Sequence, residues 1–183
     1  MRTSDADILI VPGLNGSGLE HWQTRWQQKL RTARRVEQEN WDNPTHAAWV
    51  GSLRKAIEEA ERPVILIAHS LGVHAIAHAA RHFAPGKVIG AFLVAPPSEE
   101  VLRSFDSVDT GFEEAPRDPL PFPSLLVASR NDPYATYESS EDLAYAWGSA
   151  IVDAGEAGHI NPDSGHGPWP EGLMSLAAFL AKL

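Results

Sequence analysis

Short apolar runs alternate with longer amphipathic stretches along almost the whole chain. Residues 8–11, 64–68, 88–94 and 124–128 are apolar nearly throughout, and each is the length of a buried strand. Weaker runs at 35–39 and 150–153 complete a predicted set of six strands. Between them the apolar period lengthens to that of a helix. Trp22, Trp26 and Leu30 recur at four-residue spacing within 19–32, and Trp49, Leu53 and Ile57 do the same within 45–60. Further helices are predicted over 73–83, 138–147 and 171–183. Strands apolar on both faces, separated by helices, imply an α/β protein with a parallel sheet covered on both sides. One segment breaks the rhythm. Residues 95–123 are rich in Pro, Asp and Glu, which predicts a long irregular segment, either a functional loop and candidate partial lid or a disordered stretch.

At 183 residues the chain is expected to form a single α/β domain. A formal charge of −9 argues against nucleic acid and anionic membrane surfaces, both of which attract basic patches. There is no cysteine, which removes disulfides, thiol nucleophiles and thiolate metal sites together. The first residues, Met1 to Asp7, carry acids where a signal peptide carries bases, and no apolar stretch reaches membrane-spanning length. The expectation is a cytoplasmic chain that needs no cofactor.

Chemistry enters at Ala68-His69-Ser70-Leu71-Gly72, between the third strand and the helix after it. A serine at a strand-to-helix turn, with small residues two positions to either side, has the layout of a nucleophile elbow. Ala68 stands where the usual pattern has glycine, and it still meets the steric demand. Helix capping is the plainer role for such a serine, so other residues must decide. In a parallel sheet the loops at the carboxyl ends of the strands form the site. Asp132 follows the fifth strand, and a histidine follows the sixth. Ser, Asp and His thus occur in the chain order of an α/β-hydrolase triad. The imidazole takes the serine proton, and the carboxylate fixes the imidazole's tautomer. Asn131-Asp132-Pro133 also suits a plain turn, with Asp106, Asp109 and Asp118 as weaker alternative acids. His159 and His166 both lie in the last loop; His159, nearer the strand end, is favoured by reach. His69 adjoins the serine, but the elbow points it away. The glycines of Pro12-Gly13-Leu14-Asn15-Gly16-Ser17-Gly18 leave backbone N–H groups for an oxyanion hole, assigned to Leu14, Asn15 and Leu71. No dinucleotide fingerprint and no Walker lysine accompany them, which sets a nucleotide loop aside.

Taken together, Val11-Pro12-Gly13, Glu20-His21-Trp22, the elbow, Asn131-Asp132-Pro133 and Gly158-His159-Ile160-Asn161 resemble the small serine hydrolases that include retinoblastoma-binding protein 9 and its bacterial relatives. The resemblance runs nearly end to end. It implies a reduced α/β-hydrolase fold with a six-stranded parallel sheet in the order 2-1-3-4-5-6 and helices on both faces. It also implies His159 as the base. The triad itself points to a carboxylesterase-type serine hydrolase acting on small acyl esters, with thioesters, lactones and small amides open to the same machinery. The motif associated with binding the retinoblastoma protein requires a cysteine, so that partner is not inferred here, and the sequence specifies no other protein partner. A non-catalytic interaction module on a hydrolase scaffold is the competing function; the complete Ser-Asp-His set argues against it.

Two further signals carry less. His74, His78 and His82 recur at four-residue spacing, but without the glutamate of a zinc-binding helix they are expected to pair with carboxylates or backbone, and no metal site is predicted. Trp26 and Trp49 sit on apolar helix faces and are expected in the core. His21, Trp22, Trp41 and Trp169 lie nearer the loops and are candidate pocket walls.

Overall fold

In the computed structural model, which describes residues 3–183, six parallel strands pair in the order β2-β1-β3-β4-β5-β6. The strands are β1 (Asp7–Val11), β2 (Ala33–Arg35), β3 (Val64–His69), β4 (Val88–Val94), β5 (Ser124–Ala128) and β6 (Ala150–Asp153). Met1 and Arg2, which open the acidic stretch read against a signal peptide, lie outside the described residues. The helices are α1 (Trp22–Lys29), α2 (His46–Glu58), α3 (Leu71–Ala79), α4 (Glu99–Ser104), α5 (Tyr137–Trp147) and α6 (Pro170–Leu180). Among the described residues no helix is long and apolar enough to cross a membrane.

The pleat of the central strands sorts their side chains into two cores. Leu9, Leu66, Leu93 and Leu126 point to the face covered by α2, α3 and α5, where Trp49 and Trp147 are buried. Ile8, Ile65, Phe92 and Val127 point to the other face, under α1 and α6. Strands buried on both sides need apolar residues at every position, which is why β3 reads as one unbroken run. The edge strands differ. β6 is largely exposed, and β2 lies earlier than the expected 35–39, at Ala33–Arg35 beside Ile8–Ile10. An edge strand needs little apolar content, so the hydrophobic pattern misplaces it.

Residues 95–123 are more ordered than their composition predicts. They contain α4 and a 3₁₀ turn at Thr110–Phe112, and Leu102, Phe112 and Phe122 are buried. Two acids of the segment help to hold it in place. Glu99 accepts the Ala115 N–H at 3.1 Å and pairs with Arg117 at 2.8 Å. Asp109 accepts the N–H groups of Gly111 and His46, which hold its carboxyl below the usual carboxylate range.

The three regularly spaced histidines go separate ways, and of the two kinds of partner expected, carboxylate or backbone, His74 takes backbone. His74 bonds the Pro97 carbonyl at 2.8 Å, His78 packs edge-on against His46 and Phe112, and His82 is exposed. Burial lowers His21, His74 and His78 from an ordinary 6.5 to about 4, so all three are neutral in the folded chain. Unfolded, each gains a proton near 6.5, so the unfolded state binds more protons down to about 4. Their contribution to stability is therefore complete above 6.5 and drains away as the pH falls to about 4. We expect the melting temperature to fall by at least about 10 °C between about pH 7 and pH 4.5. A flat profile in a scanning-calorimetry series across that window would contradict this.

Candidate active site

Strand order reverses beside β1, so the loops leaving β1 and β3 lie side by side at the carboxyl edge of the sheet. Ser70 occupies the turn from β3 into α3 with φ 55° and ψ −128°, a strained backbone for any residue but glycine. Three contacts account for the strain. The Ser70 N–H donates to the Val94 carbonyl at 2.9 Å, tying the turn to β4. A Cβ on Gly72 would stand 2.4 Å from the Val11 carbonyl oxygen, and one on Gly13 would stand 2.7 Å from the Ser70 Cβ. Only glycines let the two loops approach this closely. The capping alternative fails for Ser70, because its hydroxyl makes no bond to the helix amides.

That hydroxyl instead lies 3.0 Å from His159 Nε2. On the far side of the ring, His159 Nδ1 is 3.0 Å from each oxygen of Asp132. The ionised carboxylate only accepts, so Nδ1 carries the hydrogen and Nε2 is left to accept from serine. Both side chains are buried, at 8% and 2% exposure for His159 and Asp132, which keeps the pair out of competition with water. Asp132 also accepts the Tyr134 N–H at 2.9 Å, so its turn geometry and its contact with His159 coexist. His166 is elsewhere, with Nδ1 3.2 Å from Ser164 Oγ and its ring edge-on to Trp169.

The long-range bonds that assemble this line come from residues to which the sequence assigns no such role. Asn131 Oδ1 accepts the Gly158 N–H at 2.7 Å, and Ser129 Oγ accepts the Ala157 N–H at 3.0 Å, so the loop after β5 holds the loop after β6. His69 donates from Nε2 to the His159 carbonyl at 2.8 Å. It is fully buried, which lowers its pKa and keeps it neutral for that role. Gln23 donates to both the Val11 and Ile67 carbonyls, at 3.2 and 3.1 Å, clipping β1 to β3 beneath the elbow. The one hint the sequence offers is a glutamine standing between Trp22 and Trp26 in the first helix.

The amides of Leu14 and Leu71 have no hydrogen-bond partner among the described residues, and both residues line the cavity at Ser70. Asn15 does not belong with them. Its N–H donates to the Trp41 carbonyl at 2.9 Å, which removes it as an oxyanion donor. The four candidate pocket walls are also corrected, since none lines this cavity. Trp22 and Trp169 are buried with Trp26 under the sheet, and the Trp22 indole donates to the Ile160 carbonyl at 2.9 Å, steadying the residue after His159. His21 is buried, accepts the Gln23 N–H and packs against His69. Trp41 braces the first loop from outside, against Gly16 and Trp49. Large aromatics suit cores and pockets equally well, so composition could not separate the two.

The cavity at Ser70 has a volume of about 230 Å³. Pro97, Leu102, Phe105 and Val108, all from 95–123, form its apolar wall, and Tyr134, Asn161 and Asp163 border it beside His159.

A model of the serine hydrolase family matches residues 8–178. The chain is 23% identical to the YdeN protein of Bacillus subtilis (strain 168), over 96% of both chains. Its fold is similar to that of the YdeN-like protein of Pectobacterium atrosepticum, with a TM-score of 0.84 and 36% identity, covering 97% of this chain and 91% of the other. An esterase domain from a Rhodothermus marinus protein shares the fold at a TM-score of 0.72 and 18% identity, over 95% and 86% of the two chains.

Proposed function

The chain belongs to the serine hydrolase family and is a hydrolytic enzyme of that class; from that premise we propose that it cleaves small acyl esters through an acyl-enzyme on Ser70. The observation that carries this reading is the unbroken line from Ser70 Oγ through the His159 ring to Asp132, at 3.0 Å per contact. Ser70 Oγ attacks the ester carbonyl carbon as its proton passes to His159 Nε2. Negative charge then develops on the carbonyl oxygen. The free N–H groups of Leu14 and Leu71 are the donors on hand, the second at the positive end of α3. Asp132 stabilises the imidazolium without taking its proton. Collapse breaks the bond to the alcohol oxygen, which receives the proton from His159. Water repeats the sequence on the acyl-serine and frees the acid.

Substrate size follows from the walls. A cavity of about 230 Å³ is smaller than the roughly 300–1,000 Å³ of sites for drug-sized ligands, so short acyl groups fit it. In a series of p-nitrophenyl esters, kcat/KM should be highest between acetyl and hexanoyl and fall at least about tenfold by dodecanoyl. Absence of turnover across the whole series would overturn the reading, and a maximum at dodecanoyl would overturn the size argument.

A further inference from the structure

The cavity at Ser70 has one carboxylate in its lining, Asp163, and no lysine or arginine. Asp163 forms no ion pair among the described residues. Asp163 itself is exposed, and the backbone that carries it is fixed by its neighbours. The 3₁₀ turn Pro162–Ser164 is closed by a reciprocal pair, Asn161 Oδ1 accepting the Ser164 N–H and Ser164 Oγ accepting the Asn161 N–H. The carboxylate is thus presented on a preformed turn rather than a loose loop, which lowers the cost of using it.

Which part of a substrate it would meet follows from proton transfer. On the mechanism proposed above, His159 Nε2 returns its proton to the departing alcohol oxygen, so the alcohol portion must lie beside His159. Tyr134 is on that side, its ring packed at right angles to that of His159 at 4.6 Å, and Asn161 and Asp163 line the same cavity two and four positions after His159 in the chain. The apolar wall of Leu102, Phe105 and Val108 is left for the acyl chain. An aromatic ring and an unpaired carboxylate together suit a cationic amine, through cation–π attraction and charge pairing. A net charge of −9 draws such a substrate towards the protein as well.

We propose that the site prefers esters whose alcohol carries a cationic amine, with Asp163 as the residue that selects for it. The inference rests on the hydrolase reading, and one experiment separates the two. Hydrolysis of the butyrate esters of choline and of its uncharged isostere, 3,3-dimethylbutanol, is followed by pH-stat on wild type, Asp163→Asn and Ser70→Ala. Wild type should favour the choline ester by about five- to tenfold in kcat/KM, and Asp163→Asn should cut that ratio at least about threefold, leaving only the share of Tyr134 and the net charge. Raising the salt to about 0.5 M should shrink the wild-type ratio, as expected for a charge at the mouth of a site. Equal rates on the two esters in wild type, or a preference undiminished in Asp163→Asn, overturn the inference while ester hydrolysis stands. Turnover of both esters by Ser70→Ala at the wild-type rate overturns the hydrolase reading and the inference with it.

Discussion

Ser70→Ala should lower kcat on short p-nitrophenyl esters by about 10⁴–10⁶-fold while leaving the fold intact. The size of the loss follows from the way the groups act together. Without the hydroxyl, His159 has no proton to take and Asp132 has nothing to orient, so one substitution removes the contribution of all three. What survives is binding and the amides of the first loop and α3. Alanine keeps the Cβ that meets Gly13, and the hydroxyl makes no helix-capping bond whose loss would weaken the fold. Melting temperatures of the two proteins should therefore agree within about 3 °C. Ester hydrolysis within a factor of about ten of wild type, in pure protein, would remove Ser70 from the nucleophile's role.

The second large effect separates two histidines seven positions apart. His159→Ala should cost about 10⁴-fold or more in kcat, and His166→Ala less than about threefold. Only His159 has one ring nitrogen on Ser70 and the other on Asp132. His166 meets Ser164 and Trp169 and no residue of that line. Circular dichroism on both variants distinguishes lost chemistry from lost structure. A large loss with His166→Ala in a folded protein, together with an active His159→Ala, would reverse the assignment.

How much of this was legible beforehand depends on how local each signal is. The central strands and the elbow are written in consecutive residues. A strand buried on both faces must be apolar throughout, and the turn at Ser70 needs small neighbours at fixed offsets, so both could be read without knowing what lies opposite. The edge strand β2 has no such constraint, and the pattern places it two residues late at its start and four at its end. The segment 95–123 looked irregular because its prolines and acids dominate its composition. Its order comes from partners far along the chain, such as the Trp147 indole donating to the Pro116 carbonyl at 2.7 Å. The same distinction runs through the site. The Asn15 amide looked available until Trp41, 26 positions on, proved to accept its hydrogen bond. Trp22 looked like a pocket wall because it opens the first helix beside the loops, yet its partners are Trp26, Trp169 and the Ile160 carbonyl. The apolar wall that does line the cavity belongs to the segment whose fold the pattern could not reach.

The central claim is that Ser70 is a nucleophile activated by His159. It is tested most directly by treating the folded protein with a fluorophosphonate probe and locating the adduct by peptide mass spectrometry. The account predicts one adduct per chain, on Ser70, absent from Ser70→Ala and formed far more slowly in His159→Ala. A folded wild-type protein that takes no label, or takes it on Ser17, Ser98 or any residue other than Ser70, would contradict it.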